Sequence, residues 1–192
     1  RNFRNEGIDR DHNPEFTMME CYAAFTDYHW MMDFTESLIR HVASAAHPKG
    51  SFTWGDHTID VSKPFTRMTY DQVLQKHAGV SMTDRAAILG KGKELMKKGA
   101  LPKNSDFGKT VDEIFKTFVR AKLIDPILIY DYPAELSPLA KKKTGDPNMV
   151  EMFQLLMGGT EIAKAFSELN DPVDQRQRFE EQEALRAKGD EE

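Results

Sequence analysis

The chain has 192 residues, 40% hydrophobic and 30% charged, enough for one domain with a core and too few for two ordinary ones. Its 26 Lys and Arg face 31 Asp and Glu, a net charge of −5, so bulk attraction to nucleic acid or to an anionic membrane is not expected. The single Cys21 excludes an intramolecular disulfide framework and a multi-cysteine zinc site, and it fits a reducing, cytoplasmic compartment. No apolar run approaches the ~18 residues of a membrane span. Arg1 to Glu6 carry neither a starting methionine nor the apolar core of a signal peptide, so the chain reads as beginning inside a longer protein.

Turn residues fill Gly7 to Glu15, and Phe16 to Tyr28 alternates with period two, which predicts a hairpin. Met19, Cys21, Ala23 and Phe25 then share an apolar face that packs on the core. Phe16, Met18, Glu20 and Tyr22 share the other, a carboxylate among aromatics that has the makings of a pocket floor. A helix over 31–46 follows, with Met31, Phe34, Leu38, Val42 and Ala45 as its stripe. Ser51 to Trp54 and Thr58 to Val61 form a short hairpin around Gly55-Asp56. Lys63-Pro64-Phe65 leads into a helix that Thr69 caps.

Thr83 to Gly99 is a helix interrupted by Gly90 and Gly92; its Lys91, Lys93, Lys97 and Lys98 read as a solvated face rather than an RNA contact. Val111, Ile114, Phe115, Phe118 and Val119 mark the most amphipathic helix, ended by Pro126. Ile127 to Tyr132 is a β-prone run. After the basic Lys141 to Lys143, strands over 150–157 and 160–169 flank Gly158-Gly159. A last helix starts at Asp171-Pro172 and runs to Gly189. With no regular βαβ period, the fold class is α+β with a mostly antiparallel sheet.

Polar residues stand where strand patterning asks for apolar ones in three places: Arg4, Glu6, His12, Glu20 and Tyr22; then Tyr132 to Leu139; then Glu161 and Phe166 to Asp171. Singly, an Arg-x-Glu is a surface ion pair, a turn histidine is solvated and a strand-start phenylalanine is core. Together they resemble a known family. The stretch FRNEGIDRDHNPEFTMMECYAAFTDY over 3–28 resembles motif 2 of the class II aminoacyl-tRNA synthetases in its lysyl form. YPAELSPLA and AFSELNDPVDQRQRFEEQ resemble two further signatures of the bacterial-type lysyl-tRNA synthetases, in the expected order. The resemblance covers essentially the whole chain.

The resemblance implies a six-stranded antiparallel active-site sheet, activation of L-lysine by ATP and Mg²⁺ to lysyl-adenylate, and transfer to the 3′ end of tRNA(Lys) by a homodimer. By it, Arg4 is the catalytic residue, its guanidinium fork meeting the α-phosphate and the lysine carboxylate. Glu6 would accept from the adenine amino group, His12 would meet the γ-phosphate, and Phe16 would stack on adenine. Glu168 and Tyr22, with Glu20 close by, would bind the lysine ε-ammonium, and Phe166 would wall its stem. Glu161 would take Mg²⁺ on ATP. Its parity differs from that of Glu168, so a bulge or bend must separate them.

Two positions depart from the family pattern. Gln154 stands where a second acidic metal ligand is usual, and Lys164 where Asn is usual. Gln can offer Mg²⁺ a neutral oxygen, though Mg²⁺ favours carboxylate and water. Lys164 can instead neutralise phosphate charge, or the two positions have simply drifted. The resemblance further implies a partial catalytic domain over 1–192: a motif 2 hairpin at about 1–28, a helical insertion at about 83–109, and the strands and helix before motif 3 at about 150–190. The anticodon-binding domain, motif 1 and motif 3 fall outside these residues. The expectation is that this stretch alone is inactive. Two other readings compete: a synthetase-like ligase that adds a lysine derivative to elongation factor P, and a non-catalytic lysine- or nucleotide-binding module.

Overall fold

A computed structural model describes residues 1–9 and 12–186. The predicted end of the last helix at Gly189 lies outside the described residues. The architecture is α+β. A five-stranded sheet runs β5 (Thr66–Thr69), β6 (Ile127–Pro133), β8 (Asp146–Met157), with β7 (Lys142–Lys143) and β9 (Thr160–Phe166) sharing the far edge of β8. All its pairs are antiparallel except β5–β6, so the sheet is mixed rather than the six-stranded antiparallel one expected. The parallel strand β5 escaped notice because Thr66–Thr69 is only four residues long and merges into the cap of the next helix.

One face of the sheet carries α2 (Tyr70–Ala78), α3 (Arg85–Lys97) and α4 (Phe107–Phe118), whose Val73, Leu74, Ile88, Leu95 and Ile114 pack with Ile127, Ile129 and Met152. The other face carries α1 (Tyr28–Ala46) and the hairpin of β3 (Ser51–Trp54) and β4 (His57–Asp60). There Met32, Ala43 and Ile59 meet Leu128, Phe153 and Leu155. A sheet buried on both faces explains why β6 and the second half of β8 are nearly continuous apolar runs.

The helices start where short polar side chains bond free backbone N–H groups. Asp27 accepts from Trp30, Asp84 from Ala87 and Asp106 from Lys109, while Thr69 and Gln72 form a reciprocal capping box. Gly92 does not interrupt α3: it is buried, and a Cβ there would stand 2.5 Å from Cγ2 of Thr110 on α4. The glycine lets the two helices approach. Of the lysines on α3, Lys91 reaches over the Phe118 ring, 4.4 Å from its centroid.

Two expectations are corrected. The stripe of α1 is turned by about one residue: Tyr28, Met32, Thr35, Glu36 and Ala43 are buried, whereas Phe34 and Val42 are exposed. Glu36 is drawn in because it accepts from the Phe65 backbone N–H at 3.0 Å and from Arg67 at 2.9 Å, which ties α1 to the start of β5. The second correction is larger. Only Asn2–Phe3 (β1) and Glu15–Phe16 (β2) pair as strands at the start of the chain, in a two-stranded sheet of their own. Residues 17–27 pair with no strand, and Met19, Cys21, Tyr22 and Phe25 are exposed instead of lying on the core or on a pocket floor. A strand needs a neighbour for its backbone groups, and none of the described strands lies beside this segment.

Candidate active site

The residues singled out in the sequence fall into three groups. In the first, β1 and β2 place Arg4, Glu6 and Phe16 together: the Arg4 guanidinium lies 5.3 Å from the Phe16 ring centroid and 3.9 Å from Glu6. The Arg4 backbone N–H donates to Pro14, which closes the turn. His12 sits in that turn with its ring nitrogen Nδ1 2.9 Å from the Asp9 carboxylate. A planar cation over an aromatic ring, with a carboxylate beside it and an imidazole in the adjoining turn, offers stacking and anion contacts from one short hairpin. In the second group, Glu20 and Tyr22 lie on the exposed segment 17–27 and touch neither of the other groups through a sheet.

The third group is built by β8 and β9. Gln154 pairs with Lys164, Leu156 with Glu161, and Met152 with Phe166. Between Leu155 and Leu156 the register shifts, so that Ile162 bulges out. The bulge required by the parity of Glu161 and Glu168 is therefore present, and it puts Glu161, Lys164 and Phe166 on one face. Beyond Phe166, the Ser167 N–H still donates to Glu151 of β8, and Glu168 bridges to Ala140.

Gln154, Glu161 and Lys164 open into a cleft of about 1120 Å³ between the sheet and α4, with the Ala134–Leu136 turn and α5 (Pro172–Arg186) on its rim. The lining stops short of Phe166, which packs against the core, and of Glu168. Glu161 keeps contact with solvent, yet the walls of the cleft raise its pKa above the ordinary value by burial, against the pull of Lys164 and Arg120. Tyr132 is buried, and its hydroxyl donates to Oε1 of Gln154 at 2.7 Å. Gln154 thus spends its oxygen on the protein and presents its NH₂ outward. Tyr70 packs at a tilt against Tyr132, ring centroids 4.7 Å apart, lines the same cleft, and its buried hydroxyl has no hydrogen-bond partner among the described residues.

These contacts decide which residues could hold Mg²⁺. Among the described residues, no cluster of three or more His, Cys, Asp or Glu is placed to hold a metal. Glu161 fits a magnesium ion that arrives on phosphate oxygens, since Mg²⁺ needs few protein carboxylates. Gln154 already gives one lone pair of its oxygen to Tyr132, which leaves it a weaker ligand than Glu161.

Several participants were not legible in the sequence. Arg178 on α5 is buried, donates to the carbonyls of Ser137, Pro138 and Ala140, and pairs with Asp174 at 2.8 Å. It thereby clamps the YPAELSPLA segment to the helix after SELNDP, but in a charged helical run nothing distinguishes it from its exposed neighbours. The basic run is likewise spent internally: Lys142 pairs with Asp174 at 2.7 Å, and Lys143 with Asp131.

The profile of the family described as tRNA synthetases class II (D, K and N) matches residues 1–192. A Lysine--tRNA ligase of Christiangramia forsetii is 44% identical over 196 aligned residues, which take in all of this chain and 34% of the relative. A Lysine--tRNA ligase of Porphyromonas gingivalis is 42% identical over 196 residues, again all of this chain and 33% of the relative. The chain spans about a third of the length of these relatives.

Proposed function

Because the chain belongs to the class II tRNA synthetases of the D, K and N group, we propose that it is part of a lysine–tRNA ligase catalytic domain. The observation that carries the choice of lysine is the 44% identity to a Lysine--tRNA ligase across every residue of the chain. In this reading the protein joins the lysine carboxylate to the α-phosphorus of ATP with release of pyrophosphate, then passes the lysyl group to the hydroxyl at the 3′ end of tRNA(Lys) with release of AMP. The full protein acts as a cytoplasmic homodimer. Among the described residues, no helix is long and apolar enough to cross a membrane.

The chemistry of the side chains supports these roles. Adenylyl transfer asks for charge placement more than covalent help, and the Arg4 fork answers two anionic groups whose repulsion opposes attack. Phe16, already half-buried beside Arg4, offers a face for adenine, with Glu6 for its amino group and His12 for the γ-phosphate. Mg²⁺ bound at Glu161 would screen the phosphates as pyrophosphate leaves. Glu168, Glu20 and Tyr22 supply the carboxylates and hydroxyl that an ε-ammonium needs, with Phe166 beside the aliphatic stem. A site built to bond a charged end rejects amino acids that lack it.

The test is acceptor choice: the full-length protein is given ATP, labelled lysine, and either tRNA or elongation factor P. Label on tRNA supports this reading. Label on the factor alone makes the protein the paralogous ligase, and label on neither makes it a binding module.

A further inference from the structure

Gln154 and Lys164 face each other across β8 and β9 in a directly opposed pair, so their side chains leave the sheet as neighbours ~5 Å apart. Both line the cleft. Because the Gln154 oxygen accepts from Tyr132, this pair turns an amide NH₂ and an ammonium toward the cleft. The orphaned hydroxyl of Tyr70 is buried in the wall of the same cleft. Glu161 lies two strand positions along, paired to Leu156, and is the one carboxylate of β9 in the lining. The cleft is lined by further charges of both signs, Asp112 and Glu135 beside Lys109 and Arg120 among them, but at positions 154 and 164 the groups on offer suit an anion rather than a free cation.

We propose that Gln154 and Lys164 form a direct subsite for an oligophosphate, bonding its oxygens without a bridging metal ion. This rests on the ATP-dependent reading above and deepens it: the terminal phosphates meet protein donors on one side and a single cation, at Glu161, on the other. Two facing carboxylates would instead require a cation between themselves and the phosphates. The geometry therefore assigns this protein a lower demand for divalent metal than a relative with acidic and neutral residues at these positions.

The probe is inorganic tripolyphosphate, titrated calorimetrically into the full-length protein in excess EDTA and again in Mg²⁺. The expected result is binding in EDTA that Lys164→Met weakens about tenfold or more and Lys164→Arg preserves, as loss of a charge-assisted bond dictates. Gln154→Glu should weaken binding in EDTA and restore it in Mg²⁺. Thermal melts of each variant exclude misfolding, which an exposed side chain such as Lys164 does not provoke. No binding by the parent protein in EDTA, or equal affinity for parent and Lys164→Met, overturns the subsite. Lys164-dependent binding in a protein that fails to activate lysine leaves the subsite standing and removes the ligase reading. Lysine activation with binding indifferent to Lys164 does the reverse.

Discussion

The hydroxyl of Tyr28 donates a 2.6 Å hydrogen bond to Oδ1 of Asp131, joining the first residue of α1 to β6 across 103 positions of sequence. Asp131 is buried, holds a left-handed φ of 57°, and gives its other oxygen to Lys143. Asp131→Ala therefore loses two polar contacts and strains the backbone, and is expected to cost about 2–4 kcal/mol in chemical denaturation. Asp131→Asn, which tolerates the left-handed region and can still accept from Tyr28, should cost clearly less.

Burial, together with the Asp131 bond, raises the Tyr28 pKa above the ordinary 10.0, and burial raises Tyr70 and Tyr132 well above it. Once unfolded, these phenols ionise near pH 10 while the folded chain keeps them protonated. The stability they contribute is thus fully present below pH 10 and is lost as the pH rises past it. Unfolding by alkali should begin in that range. Tyr28→Phe should flatten the pH dependence of the melting temperature there; an unchanged slope would contradict the assignment.

Packing of α3 on α4 makes a sign-reversing prediction. Gly92→Ala gains ~1 kcal/mol of helix propensity but drives a methyl into Thr110 Cγ2, which cannot swing away because the Thr110 hydroxyl bonds Asp106 at 2.7 Å. Overpacking of ~1–3 kcal/mol should win, lowering the melting temperature. In a Thr110→Ser background, which removes that methyl, Gly92→Ala should become neutral or stabilising.

Arg178 hydrogen-bonds Asp174 and, with Lys142, holds its pKa down at about 2, below the ordinary 3.8. This stability is present above pH 3.8 and is lost as the pH falls through 2. Hydrogen exchange should show α5 amides losing protection in that window ahead of β6 and β8. Arg178→Ala, which leaves three carbonyls without their donor, should release α5 at neutral pH at a cost of about 3–5 kcal/mol.

Most elements were legible because each carried its own local signal: the Thr69 cap, the Gly55 turn, the Pro126 stop, the glycine pair at 158–159. That a bulge or bend separates Glu161 from Glu168 followed from their parity and the roles the resemblance gave them, while its place at Ile162 came from the structure. What failed depended on distant partners. Period-two patterning over 16–28 predicted two faces for a strand that does not form, because the segment has no neighbour to pair with. The stripe of α1 turned because Glu36 found Phe65 and Arg67, which no periodicity reports. Gln154 was recognisable as a departure, but the use of its oxygen depended on Tyr132, 22 residues away.

The proposed lysine contacts give the next prediction. Glu168→Gln in the full-length protein should weaken lysine binding by about 2–5 kcal/mol, the cost of leaving an ammonium unpaired, with ATP affinity nearly unchanged. Calorimetry with each ligand separates the two, and unchanged lysine affinity would remove Glu168 from the pocket.

The most direct measurement is ATP–pyrophosphate exchange by the full-length protein with each amino acid in turn, run beside the 192-residue chain alone. The account predicts exchange with L-lysine, none with aspartate or asparagine, and none from the short chain, whose β1–β2 hairpin and five-stranded sheet are not joined by strand pairing. Exchange driven by aspartate or asparagine, or equal turnover from the short chain, would contradict it.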